Sequence, residues 1–436
     1  MDKNTQALKL RGSPKGLAGP VAIILIATVI GGGCDYLFQI IMGRQLGPSS
    51  YSELNAMLSL FYIVTVPSAT IGIFMIRYTS KFKAEGRDGE IAWLMKRWLM
   101  ISIGLGLALE LAIFLLGPFI SQFISLSSMT PLYLLMLGIL IAMVSPIGYG
   151  AAQGLQRFSH IAAYGITGSA TKLVLGMTLV IGGYGIGGAV FGVLLGLLFA
   201  MLVALYSVRD FLRHPSKPVE KSEVGEIVRF FFVVVFTVVC YTVMINVDIF
   251  LARQYLDPVD AGLYSTASVL GKVIWYLPSA INLVLFPKIA QAHAKKSNTV
   301  KIMRQSLLWA LALTGGVALL YLPFPSFILE SLYGNAYSGA ATALSILGVA
   351  MAFFGLTNLF MNYGLAINSK MFSFTIFIFT ILELLLIVTY HDSPVAIALD
   401  LLVVSLGTFI SSWAYMELKF RKDVRSYAWL DGLKGQ

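Results

Sequence analysis

The sequence predicts an all-α polytopic membrane protein, with twelve transmembrane helices in two parallel six-helix bundles around a central cleft. Three observations predict it. Of the 436 residues, 58 % are hydrophobic and only 12 % charged, and the mean hydropathy is +0.82. A soluble domain carries about 25 % charge, so a water-facing surface is not available to this chain. The apolar residues fall in continuous runs that meet the roughly 20 residues a membrane helix needs and are too long and unbroken for barrel strands. The two halves of the chain also repeat.

In chain order, spans are expected at 18–42, 51–76, 98–118, 131–153, 159–181, 184–207, 228–251, 260–285, 305–326, 339–363, 371–390 and 394–416. The first lies after a basic segment and runs to full length with no small-residue cleavage site, as a retained helix does. It closes at Gly43-Arg44-Gln45-Leu46-Gly47-Pro48. Spans 2 and 8 carry Pro67 and Pro278, each of which removes a backbone hydrogen bond and predicts a kink. The stretch 119–130 is the longest outer connection and has no charge. The expected domains are an N-tail 1–17, a bundle 18–207, a polar linker 208–227 with Pro215 and Pro218, a bundle 228–416 and a C-tail 417–436.

Lysine and arginine set the orientation. With both termini cytoplasmic, the inner loops and tails hold 27 basic residues and the outer loops two, Arg44 and Arg253. The net charge of +10 is therefore a topology signal and a contact for anionic membrane lipids, not a nucleic-acid footprint. The inner (plasma) membrane is the expected location. Short outer loops leave no room for an external catalytic domain, and no glycine loop for a nucleotide is present. Cys34 and Cys240 lie in apolar runs, and the four histidines are scattered. No catalytic residue, metal or cofactor is expected.

The repeat has an offset of 209–211 residues. Residues 43–48 read GRQLGP and 252–258 read ARQYLDP; PSA stands at 67–69 and again at 278–280. Arg77 aligns with Lys288, Ala56 with Ala267, Gly154-Leu155 with Gly364-Leu365, and Leu195-Gly196 with Leu406-Gly407. Six spans return the chain to its starting side, so the halves are parallel repeats about an axis along the membrane normal. Such bundles suit alternating access by rocking.

Seven ionisable residues fall inside spans: Asp35, Glu110, Lys172, Asp248, Lys272, Glu383 and Asp400. Each costs about 2.5–3.5 kcal/mol at mid-bilayer if it faces lipid, so most must face one another or a wet cavity. Lys172 shares a helix face with Gly165, Gly168, Ser169 and Gly176; Asp35 with Thr28, Gly32, Gln39 and Gly43; Lys272 with Ser265, Ser268, Tyr276 and Ser279. Asn55, Ser59 and Tyr62 line a stripe on span 2, and Gly348, Gly355, Asn358 and Asn362 one on span 10. For Lys172 and Lys272 a lumen role competes with a structural ion pair. For Asp35 it competes with pairing to Arg44. The glycines alone read as helix packing. Arg44 and Arg253 read either as interfacial anchors or as receivers at the outer mouth. Glu110 and Glu383 have mostly apolar neighbours and no assigned direction, and Asp248 and Asp400 read as structural.

The motifs Gly43-Arg44-Gln45-Leu46-Gly47-Pro48 with Tyr51, Gly154-Leu155-Gln156-Arg157-Phe158, Asp257-Pro258-Val259-Asp260-Ala261-Gly262-Leu263-Tyr264-Ser265 and Asn282-Leu283-Val284-Leu285-Phe286-Pro287-Lys288 occur in order. Together they resemble the polysaccharide transporter branch of the multidrug/oligosaccharidyl-lipid/polysaccharide (MOP) flippase superfamily, over about residues 18–420. Ser52 stands where the family motif has glycine. The resemblance implies a flippase that turns a polyprenyl-pyrophosphate-linked glycan from the cytoplasmic to the outer leaflet. Lys172 and Lys272 would attract the pyrophosphate and Arg44 and Arg253 would receive it. Asp35, Gln39, Asn55, Ser59, Ser268, Tyr276, Asn358 and Asn362 would contact the rest of the head. Asp35, Glu110 and Glu383 are the candidates for coupling to H+ or Na+. A polysaccharide polymerase and export machinery are the partners implied. The rivals are an ion-coupled multidrug or metabolite antiporter of the same superfamily and a non-catalytic member of a glycan-assembly complex.

Overall fold

A computed structural model describes residues 14–278, 281, 299–366 and 369–434. Among them there is helix and no strand. Lipid offers no hydrogen bonds to exposed backbone, so chains with these apolar runs satisfy their amides internally. Nine helical stretches among the described residues are long and apolar enough to cross a membrane. Of these, Ile26–Val64 takes in parts of two expected spans and Phe158–Ser207 contains two expected spans whole.

Helix α1 (Pro14–Val64) breaks at Gly47, whose φ of 73° lies in the left-handed region that costs an L side chain roughly 1–2 kcal/mol. Pro48 comes next, and proline suits a first helical turn because its missing N–H has no partner there anyway. A second break at Thr65 starts α2 (Val66–Ala84) with Pro67 in its first turn. The expected kink is thus a full interruption, and span 2 consists of two pieces. Next come α3 (Asp88–Phe123), α4 (Thr130–Gly154) and α5 (Phe158–Leu179). A turn at Val180–Tyr184 joins α5 to α6 (Gly185–Ser207), and α7 (Arg209–Arg213) is short.

The second half repeats the same punctuation. Helix α8 (Lys221–Tyr255) stops and α9 (Pro258–Tyr276) opens on a proline after Asp257. It ends just before the turn at Leu277 and Pro278. The breaks at Gly47-Pro48 and Thr65–Pro67 therefore recur at the repeat offset. The chain continues through α10 (Thr299–Tyr321), a short α11 (Pro325–Tyr333), a 3-10 turn (Asn335–Ala340), α12 (Ala341–Ala366), α13 (Lys370–Thr389) and α14 (Pro394–Lys434). Ser279, the 282–288 motif with Lys288, and the N-tail basic residues Lys3, Lys9 and Arg11 lie outside the described residues.

The chain divides into two compact units: Met1–Leu46 with Val64–Val235, and Gly47–Ile63 with Phe236–Gln436. The expected bundles cut the chain once; here residues 47–63 pack with the second unit rather than the first. The first unit has a core of Phe74, Phe82, Trp98, Ile147 and Ala151. Val208, Phe211 and Val219, from the expected linker, are buried in it. The Lys217 N–H donates to Gly89 O at 2.8 Å, and Lys96 Nζ donates to His214 O at 2.9 Å. The first part of the 208–227 segment is thus docked in the first unit, which runs on to Val235 within α8. The second unit has a core around Leu356, Leu359, Phe360, Tyr363 and Phe372.

Candidate functional site

In the first unit, α1 and α5 approach closely because small residues face each other there. A Cβ on Gly31 would sit 3.6 Å from Gly165 O, and the ring of Phe38 occupies the space beside Gly176. This approach joins two of the sequence candidates. Lys172 Nζ lies 2.6 Å from Asp35 Oδ1 and 5.1 Å from the centroid of the Phe38 ring. The Asp35 carboxylate is 45 % exposed and the Lys172 side chain 18 %. Asp35 therefore pairs with Lys172, and Lys172 is not a lone lumen cation. Gln39 lies one turn on and is half-buried, and Arg44 is exposed at the helix end. Glu110 is elsewhere: its Oε1 accepts the Leu140 N–H at 3.1 Å, which ties α3 to α4.

In the second unit, buried carboxylates converge. The hydroxyls of Thr237 and Thr380 donate to Ser373 Oγ (2.7 Å) and Cys240 O (3.1 Å), running α13 alongside α8. That alignment carries Glu383 toward Asp248. Both are fully buried, and Asp400 is 7 % exposed. Tyr264 and Ser268 donate to Asp248 Oδ2 at 2.9 and 2.8 Å. Both Glu383 oxygens, Asp248 Oδ1 and Asp400 Oδ2 lack a hydrogen-bond partner. Lys272 interacts electrostatically with Asp248 and Glu383. Glu383 thus gains from other helices the polar company its own helix lacks. Ser268 belongs to this interior cluster rather than to an open face.

An open polar face lies beside it. Lys272 Nζ donates to Asn246 Oδ1 at 3.3 Å and is only part-buried. Trp275 Nε1 donates to Tyr241 OH at 2.6 Å, and that hydroxyl donates to Phe354 O at 2.9 Å. Asn358 hydrogen-bonds the same hydroxyl, and Asn362 Nδ2 donates to Asn358 Oδ1 at 3.0 Å. Close packing of Gly355 against Pro278 and Trp275 brings α9 and α12 together. Tyr276 is 55 % exposed at the edge. The structure thus groups Lys272, Tyr276, Asn358 and Asn362. It adds Trp275, whose sequence signal was its spacing of three from Lys272, and Asn246 and Tyr241 of α8, whose only signal was a polar character inside an apolar run.

The remaining candidates lie in the segment 47–63 and its partners. Asn55 and Ser59 are buried, and Asn55 Nδ2 donates back to Tyr51 O at 2.9 Å. Arg253 is 7 % exposed; its Nη1 donates to Ser52 Oγ at 3.0 Å, and Glu53 supplies an opposite charge. Arg253 is therefore an interior tie rather than an interfacial arm. Tyr51 packs on Tyr333 and Tyr337, with ring centroids 5.9 and 6.4 Å away.

A cavity of about 230 Å³ in the first unit is lined by Lys83, Asp88, Arg157, Asp210 and His214. Its charges are already paired, Lys83 with Asp88 at 3.1 Å and Arg157 with Asp210 at 2.8 Å. The hydrogen bonds from Arg157 hold the Asp210 carboxyl below the ordinary carboxylate range.

Known proteins share both the sequence pattern and the fold. Residues 41–342 match a family model described as polysaccharide biosynthesis protein. The uncharacterised membrane protein MJ1375 of Methanocaldococcus jannaschii is 23 % identical over 91 % of this chain and 97 % of its own length. A multidrug resistance MATE family transporter of the MOP superfamily, in an inward-facing conformation, superposes with a TM-score of 0.73 at 14 % identity, covering 91 % of this chain and 98 % of that one. The lipid II flippase MurJ, in an inward closed conformation, gives 0.70 at 15 %, covering 91 % and 87 %. These structural likenesses show the fold.

Proposed function

The chain belongs to the polysaccharide biosynthesis protein family, and from that premise we propose that it is a flippase for a polyprenyl-pyrophosphate-linked oligosaccharide. It moves this lipid from the cytoplasmic to the outer leaflet of the plasma membrane by alternating access, with both termini cytoplasmic, and so serves cell-surface polysaccharide export. The observation that carries the reading is the open face around Lys272. Its ammonium donates to the neutral Asn246 amide and feels the charges of Asp248 and Glu383, and because Lys272 is only part-buried, water or an anion can also reach this cation inside an apolar span. A pyrophosphate is such an anion. Asp35 and Lys172 supply a second charged pair, in which Asp35 holds the cation until the substrate displaces it. Attraction of this strength admits the anion and lets it leave.

The interior acids support coupling to H+ or Na+. Three carboxylates beside one ammonium carry excess negative charge into a poorly solvating interior, and a proton or cation relieves it. The same cluster is what favours the antiporter as the second reading.

Native mass spectrometry of the purified chain tests the proposal. A bound polyprenyl-linked glycan is expected, and it should be lost in Lys272→Gln with Lys172→Gln. Small cationic metabolites in its place would support the antiporter.

A further inference from the structure

Toward its end α9 leaves Lys272, Trp275 and Tyr276 at least partly exposed, at helical spacings of three and four, with the part-exposed Val273 beside them. Their surroundings are unusual for a membrane helix. Trp275 is locked by its bond to Tyr241, so its ring is held rather than free to rotate. The Tyr276 ring stands against it at 4.5 Å and 63°, making a corner of two aromatic faces. Amides from Asn246, Asn358 and Asn362 stand on the neighbouring helices and are all part-buried.

An aromatic face, flanked by amides and by one ammonium, is the chemistry that recognises a hexopyranose carrying a phosphate. The ring takes the apolar C–H face of the sugar, the amides take hydroxyls, and the cation takes the phosphate. We propose that Trp275 and Tyr276 form a shelf for the sugar attached directly to the pyrophosphate, with Lys272 on the pyrophosphate itself. The shelf makes the second unit sense the glycan as well as the lipid anion. It rests on the flippase reading, because a glycan-bearing lipid presents both groups side by side to a site inside the membrane.

Isothermal titration of the full chain in detergent separates the two. The probes are geranyl pyrophosphate and the same compound bearing one hexose, in glucose, galactose and N-acetylglucosamine forms. At least one sugar form is expected to bind wild type roughly tenfold more tightly than the bare pyrophosphate, the scale of one or two aromatic contacts. Trp275→Leu should bring the two compounds to near-equal affinity. Trp275→Phe, which keeps a ring and loses the Tyr241 bond, should retain part of the difference. Lys272→Gln should weaken both compounds and keep their ratio. Tyr276→Leu guards against a folding defect, since that side chain is exposed, and should cut the ratio at least about threefold. An unchanged ratio in Tyr276→Leu or in folded Trp275→Leu, or no sugar preference in wild type, overturns the shelf. Failure of wild type to bind any of the compounds instead overturns the flippase reading.

Discussion

Single residues here act through the partner that folding gives them. Lys172 is held by Asp35, and Asp35 is nearly half exposed, so the pair is screened and modest in strength. If the pyrophosphate displaces Asp35 from Lys172, removing the competitor helps. Asp35→Asn is expected to tighten geranyl pyrophosphate binding about twofold to fivefold, the fold-change an exposed pair is worth. Calorimetry checks it, and weaker binding would show that Asp35 orients the cation instead. Asp210 offers a pH test. Its folded pKa is depressed by Arg157, so the stability it lends is present above the unfolded value of about 3.9 and lost as pH falls through the folded one. Thermal melts from pH 6 to 3 should show wild type losing a small increment toward the acid end that Arg157→Gln lacks. The increment should stay under about 1 kcal/mol, because a half-exposed carboxylate is screened by water.

At the scale of elements, the half-helix 47–63 stands out. Breaks at Gly47 and Thr65 bound it, and it packs with the second unit while the rest of its hydrophobic run stays with the first. The docking is tight: a Cβ on Gly262 would lie 2.2 Å from Pro48 O. Gly262→Ala must therefore push two backbones apart, at a typical overpacking cost of about 1–3 kcal/mol. Its melting temperature should fall by several degrees, whereas Gly316→Ala, with open space at that position, should not. Equal melting of both variants would mean that the α1–α9 crossing yields freely.

For the whole molecule, the duplication is visible in where helices stop. Proline opens a helix after Gly47 and again after Asp257, and breaks recur at Thr65–Pro67 and Leu277-Pro278. Matched interruptions put a bending point at the same position in the sequence of each repeat, which the proposed flippase cycle can use. Pro67→Ala with Pro278→Ala would let the helices run on. Turnover in vesicles is expected to drop about tenfold or more while geranyl pyrophosphate affinity stays within about twofold, since a hinge changes rates before it changes contacts. Unaltered turnover would assign the prolines to packing alone.

The sequence by itself determined the class, the helical runs, the repeat and the places where helices break. Each of these comes from local rules: backbone amides in lipid must bond within the helix, and glycine and proline interrupt that ladder wherever they stand. Polar stripes were legible for the same reason, since helical spacing alone puts Lys272 and Tyr276 on one face. Only the tertiary structure decided who meets whom. It paired Asp35 with Lys172, 137 positions away, rather than with Arg44. It gathered Asp248, Glu383 and Asp400, and turned Arg253 inward onto Ser52. It also moved residues 47–63 into the other unit. A helix's sequence states which side is polar, but the partner of that side depends on which neighbour packs against it. That choice rests on close approach at small residues such as Gly31, Gly262 and Gly355, summed over faces far apart in the chain.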